Sequence, residues 1–168
     1  NSIMNPILVM CMGLGYFFNL YRGKPPVREG GVLIMSHPTP WEFHPVHHPS
    51  YIDFFEQVLA DTTDPTEIEQ RWEKQFAEDE WYRHLYRTSY AYHGVHPFYM
   101  WYWGENGRQH VGKVIVAGAE NAHVPEMLGW ERADNLTEAI AMGRSYMGRN
   151  AEITMLHQPI IGLCNVTD

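Results

Sequence analysis

Cysteine is scarce in this sequence, with only Cys11 and Cys164 in 168 residues. Two thiols so far apart cannot make a disulfide framework or half of a four-ligand zinc site, so a cytoplasmic setting is the default expectation. Basic clusters are also missing. Twelve Lys and Arg face twenty Asp and Glu, a net charge of −8, and the cations nowhere gather into the patch that a phosphate-tracking surface needs. Nucleic acid is therefore not an expected partner. A spanning helix needs about 20 apolar residues, and the near-unbroken run from Ile7 to Phe18 is shorter than that. No basic segment precedes it and no small-residue cleavage site follows it, so it reads as a buried helix rather than a signal, with Pro6 in its first turn. No membrane association is expected. Internal repeats, low-complexity linkers, G-x-S-x-G, a P-loop and H-E-x-x-H are all absent. Gly13 and Gly15 do not complete G-x-G-x-x-G, because position 18 is Phe; they suit close helix–sheet packing.

What is present is enough for one globular domain over residues 1–168. Apolar residues make up 45% of the chain and aromatics 14%, the wrong mix for disorder. The opening Asn1-Ser2-Ile3 lacks an initiator Met, which suggests a piece of a longer polypeptide or a processed product. Gly30-Gly31 followed by Val32–Met35 predicts a buried strand. Ser50 looks like a helix N-cap, with Asp53 three residues on. Asp64-Pro65-Thr66-Glu67 is a second helix start, with a cap, a proline and an acid in order. Ten of the twenty acids lie between Asp53 and Glu80 and read as a solvated helical face. The segment from Trp81 to Trp103 is the aromatic centre of the chain. Val114–Ala117 predicts a second strand. Asn135 caps a further helix, with Glu138 at its third position, a 3.6-residue stripe through Leu136, Ala139, Ile140, Gly143 and Met147, and Gly148 at its stop. Ile153–Leu156 predicts a third central strand. Apolar strands separated by helices argue for an α/β domain with a small, mostly parallel sheet flanked by helices.

Ten histidines is a high count, and they are unevenly spread. His37, His44, His47 and His48 share one Pro-rich loop just after the first strand, with Glu42 among them. In open α/β sheets ligands gather at that carboxyl edge, and imidazoles there could move protons near pH 7 or hold a borderline metal. The spacing H-x6-H-x2-H-H matches no recognised ligand set, so a pocket, a metal site and a solvated loop all stay open. Tyr90-Ala91-Tyr92-His93-Gly94-Val95-His96-Pro97 predicts a turn into an aromatic helix, with His93 and His96 as candidate catalytic residues and Tyr92 as a cleft wall. The turn precedes the helix leading into the second strand, so it can lie at the same edge as the histidine loop. His157 would end the third strand at that edge. His110 and His123 look structural, and Cys164 looks like a small buried hydrophobe.

The order of these segments resembles the C-terminal domain of the lactate racemase family, enzymes that use a nickel-pincer nucleotide. The similarity runs through Val27-Arg28-Glu29-Gly30-Gly31-Val32-Leu33-Ile34, Phe54–Leu59, Asp64–Glu69, the Gly94-Val95-His96 turn, Val114-Ile115-Val116, Leu128-Gly129-Trp130, Asn135–Ile140 and Ala151–Met155. It covers nearly the whole chain. The resemblance implies a Rossmann-like three-layer domain that lines the cleft of a two-domain racemase or epimerase. Its substrate would be a small 2-hydroxy acid, its reaction hydride transfer, and its partner the N-terminal domain of the same polypeptide. It also implies that the nickel ligand, the lysine tether and the paired acid/base histidines belong to that other domain. On this chain alone no metal ligand, bound cofactor or activity is expected. In the family a Lys facing the site follows the Gly-x-His turn; here Pro97 stands there, and the histidine loop is unusually rich. Both departures point to a different substrate or a different reaction of the same class. The alternatives are a self-contained metal-dependent hydrolase or lyase using the loop histidines, and a non-catalytic α/β domain with exposed aromatics as its interface.

Overall fold

A computed structural model of the chain describes residues 5–157 and 164–166. The apolar opening forms helix α1, residues 6–19, with a π-type turn at Cys11–Tyr16. Asn5 starts it: the Oδ1 atom accepts from Ile7 N–H at 2.9 Å and Leu8 N–H at 3.3 Å, and Pro6 occupies a position that needs no donor. After the short strand β1 (Tyr21–Gly23) comes β2 (Val32–Ser36). Helix α2 covers residues 49–61, α3 covers 65–78, and α4 is Glu80–Thr88. The long helix α5, His96–His110, leads into β3 (Lys113–Ala117). Then follow α6 (His123–Met127), β4 (Glu131–Ala133), α7 (Leu136–Met147) and β5 (Cys164–Val166).

The central sheet has the order β2-β3-β4 and is wholly parallel. Val32 pairs with Lys113 and Ser36 with Ala117 along one ladder, and Ile115 pairs with Glu131 along the other. The two strands expected at Val32–Met35 and Val114–Ala117 thus form and pair parallel. The β1–β5 pair forms a separate parallel ribbon. Alternation divides the core, because successive strand side chains point to opposite faces. Ile115 and Ala117 turn toward Ala139 of α7, with Val32, Ile34 and Met142 around them. Val114 and Val116 join the larger cluster built from α1, α2 and α5, including Ile7, Met10, Leu14, Tyr51, Phe54, Phe98 and Trp101. Close approach decides that packing. A side chain on Gly13 would overlap Met35 of β2, whereas one on Gly15 would overlap Trp103 of α5. Gly13 is therefore the helix–sheet contact expected of both, and Gly15 is a helix–helix contact.

Asp64 and Asn135 cap α3 and α7 as expected, and Gly148 ends α7 at φ 97°. The acid-rich stretch is mostly exposed, with Asp61 paired to Arg71 at 2.6 Å. Two expectations need correction. Ser50 does not cap α2. Pro49, with its fixed φ, takes the first helical position, so His48 becomes the cap residue and Ser50 lies inside the helix. The expected third central strand at Ile153–Leu156 does not form. Ala151 N–H bonds back to Gly148 O, so the chain turns straight out of α7 without reaching a strand edge. Ile153, Met155 and Leu156 stay 48%, 67% and 44% exposed. An apolar run is local, but a strand needs a neighbour's backbone to pair with. The Cys164 side chain lies outside the described residues; Cys11 is buried, and that burial raises its thiol to about 11. Among the described residues no helix is long and apolar enough to cross a membrane.

A histidine–tyrosine cluster as candidate functional site

Three segments supply the site: the loop after β2, the start of α2 and the start of α5. The loop is tightly wound by imidazole nitrogens. His44 Nδ1 accepts from Val46 and His47 N–H, both at 3.2 Å. His48 Nδ1 accepts from His44 N–H at 3.1 Å, and His48 N–H bonds back to His44 O at 2.9 Å. The loop is then stitched to the segment before α5. His47 Nδ1–H donates to Tyr90 O at 2.9 Å, since a carbonyl can only accept. Tyr92 N–H returns to His47 O at 2.9 Å. Tyr92 stacks on His48 at 5.5 Å and on His96 at 4.3 Å, with interplanar angles of 11° and 20°. Tyr51, on the first turn of α2, completes the group with a 2.5 Å hydrogen bond from its hydroxyl to His96 Nδ1.

The cluster sits at the carboxyl side of the sheet. Gly30 N–H bonds to His110 O, which fixes the end of α5 beside the amino end of β2. Fifteen helical residues at 1.5 Å each carry its start about 22 Å in the opposite direction. His44 is exposed, His47, Tyr92 and His96 are half-buried, and His48 and Tyr51 are fully buried. The arrangement is a wall with an inner layer rather than an enclosed pocket. A recess of about 220 Å³ lies elsewhere, lined by Pro65, Thr66, Glu69, Tyr102 and Glu105.

Burial sets the charge state of the wall. It pushes His48 down to about 4, with help from His44, His47 and His96, and it lowers His96 and His37. Neutral His48 with Nδ1 accepting must carry its proton on Nε2, and that buried atom has no partner among the described residues. Ser50 Oγ, two residues on, is likewise buried and unpartnered. Tyr51 is raised well above the ordinary phenol range, first by burial and then by Tyr92 and Cys11.

A pH dependence follows from His48. Its folded value lies below the unfolded one, so the unfolded chain binds the extra proton more readily between about pH 6.5 and pH 4. The stability it contributes is complete above 6.5 and is lost as pH falls toward 4, by roughly 3 kcal/mol. Urea unfolding at pH 7.5 and pH 4.5 should show a smaller acid loss in His48→Gln than in wild type. Equal losses would contradict the assignment.

Of the histidines and tyrosine singled out in the sequence, His44, His47, His48, Tyr92 and His96 come together. His93 does not join them; its ring packs edge-on against Tyr86 of α4 at 5.2 Å and accepts from Val95 N–H. His37 stays in its own turn, with Nδ1 accepting from Thr39 N–H at 2.9 Å. His157 is exposed in the segment after α7, where no strand places it at the sheet edge. His110 is structural, bonded through Nε2 to Val27 O, and His123 packs against Phe55. Sequence reading missed Tyr51, whose only signal is its three-residue spacing from His48 and Phe54. It also missed two strained residues that bracket the site, Thr39 at φ 36° and Tyr90 at φ 57°. Positive φ at a β-branched residue is uncommon and tends to be retained near functional sites.

Among the described residues no three His, Cys, Asp or Glu come together in a way that holds a metal ion. The Nδ1 atoms of His44, His47, His48 and His96 are already engaged in hydrogen bonds. No family model, no curated protein and no solved structure matches this chain.

Proposed function

We propose that this chain is the cleft-lining, Rossmann-like C-terminal domain of a nickel-pincer-dependent racemase or epimerase homologue that acts on a small 2-hydroxy acid by hydride transfer. The observation that carries this reading is the cluster of Tyr51, Tyr92, His48 and His96. It sets the half-buried Tyr92 and His96 on an open wall backed by the buried His48 and Tyr51, at the sheet side where ligands of α/β folds collect. A wall with an exposed outer layer suits a site closed by a second domain, here the N-terminal domain of the same cytoplasmic polypeptide. The described residues do not fit a holder of the nickel group, since no three of their metal-ligating side chains are placed to hold one ion. No step is therefore routed through nickel on this chain. Its own share is to present hydrogen-bond donors to an oxygen-rich substrate and to keep water from one side of it. The loop-histidine hydrolase reading needs a ligand set that these residues do not form.

Metal and cofactor analysis of the full-length polypeptide, with a screen of chiral 2-hydroxy acids for loss of optical purity, tests the reading. Nickel in the full-length protein, none held stoichiometrically by the chain alone after chelator washing, and racemisation of at least one acid are expected. About one nickel per isolated chain would overturn it in favour of the loop histidines.

A further inference from the structure

We infer that Tyr51 is a positioning residue that fixes His96 as a neutral Nε2–H hydrogen-bond donor toward an acceptor oxygen of the substrate, not as a base. Its use in turnover rests on the function proposed above, whereas the proton's position on His96 does not.

The geometry comes first. The Tyr51 hydroxyl lies 2.5 Å from His96 Nδ1, and Tyr51 is 0% exposed. Burial keeps the phenol protonated, and His96 Nδ1 is the one partner its hydroxyl has among the described residues. A buried O–H left without an acceptor is costly, so the O–H donates and Nδ1 offers its lone pair. Burial also favours the uncharged imidazole at His96. A neutral ring with Nδ1 accepting carries its one proton on Nε2. The ring has little freedom to turn. Tyr92 stacks on it at 4.3 Å and 20°, the His96 N–H bonds to His93 O at 2.9 Å, and Pro97 fixes the following residue. His48, the other ring stacked on Tyr92, is held neutral as well, so it brings no positive charge that would stabilise a Tyr51 phenolate.

The consequence is chemical. A base must present a lone pair to the proton it removes, and Nε2 has none while Nδ1 is occupied by Tyr51. What Nε2–H can do is donate to an oxygen that carries negative charge or gains it, as a carboxylate or a polarised hydroxyl oxygen of a 2-hydroxy acid does. The donor direction is thus set by a residue that never touches substrate. The same reasoning separates two substitutions at position 96. A Gln amide nitrogen falls near the place of Nε2, and an Asn amide nitrogen falls near the place of Nδ1.

Two measurements test this. In the chain itself, histidine side-chain ¹⁵N spectra near neutral pH should show His96, assigned by its loss in His96→Gln, as the Nε2–H tautomer. Tyr51→Phe should convert it to a mixture and raise its titration midpoint. A wild-type Nδ1–H tautomer, or a tautomer unchanged in Tyr51→Phe, would overturn the inference whatever reaction the protein catalyses. In the full-length enzyme, His96→Gln should recover at least about tenfold of the kcat lost in His96→Ala, with His96→Asn recovering none. Equal loss in Gln and Asn, alongside the Nε2–H tautomer in the spectra, would show that the donor is not used in turnover.

Discussion

Replacing Gly94 with alanine should lower stability by about 2–3 kcal/mol, far more than a surface turn substitution. The added methyl would overlap the backbone carbonyl of Phe76 at the end of α3, with the Phe76 carbonyl carbon and Tyr82 Cβ each 3.2 Å from it. The neighbours cannot easily retreat. Phe76 is 3% exposed and stacks on Tyr82 at 5.5 Å, and it meets Phe98 of α5 edge-on at 4.9 Å. Tyr82 is anchored in turn by a hydrogen bond from its hydroxyl to Asp53 of α2. Gly94 does not need glycine for its own φ, which lies outside the left-handed range, so the cost is entirely spatial. Relief would come from moving the 93–96 turn outward, which would shift His96 off Tyr51. Urea unfolding should therefore show a lower midpoint, and the melting temperature should fall by roughly 5–10 °C. A change under about 0.5 kcal/mol, the size usual for a surface site, would mean that the turn is not packed against α3 as described.

That turn also shows how far the sequence could be read. The helix starts at Asp64 and Asn135 were legible because caps are local, with side chain and backbone donor lying within three residues of each other. The strands Val32–Met35 and Val114–Ala117 were legible because both runs are uniformly apolar, although only Val114–Ala117 is buried and Val32–Met35 is half-buried at the sheet edge. Ile153–Leu156 carries a similar pattern without a partner edge, and nothing in those residues reports that lack. Glu131–Ala133 is the reverse case. It reads Glu-Arg-Ala, with no apolar run, yet it pairs with β3, because Lys113 meets Glu131 in an ion pair and Ala133 faces Ala139 across the smaller core. At the candidate site, histidine density pointed to a loop and a turn that the fold brings into contact. It could not separate His96 from His93, because only the helix start that aims one ring at Tyr51 and the other at Tyr86 distinguishes them. Tyr51 escaped notice because its partner is 45 residues away.

The central proposal, that His96 belongs to the working wall of a cleft, predicts a large loss of turnover on its removal. Truncation alone gives a mixed answer. His96→Ala leaves the buried Tyr51 hydroxyl without its acceptor, which costs about 1–3 kcal/mol of stability, so a lower rate would partly report unfolding. Removing both partners avoids the orphaned hydroxyl, since Phe at position 51 leaves no buried donor without an acceptor. Stability measured for His96→Ala, Tyr51→Phe and the double variant should therefore be non-additive, with the double variant more stable than His96→Ala.

The decisive measurement is the rate of 2-hydroxy acid racemisation by the full-length Tyr51→Phe/His96→Ala enzyme, expressed per folded molecule and compared with wild type. The account predicts a melting temperature above that of His96→Ala and a kcat lower by roughly 100-fold, the usual effect of losing one well-placed donor. A double variant that is as stable as wild type and equally active would place the working site elsewhere and leave the Tyr51–His96 pair as a structural tie.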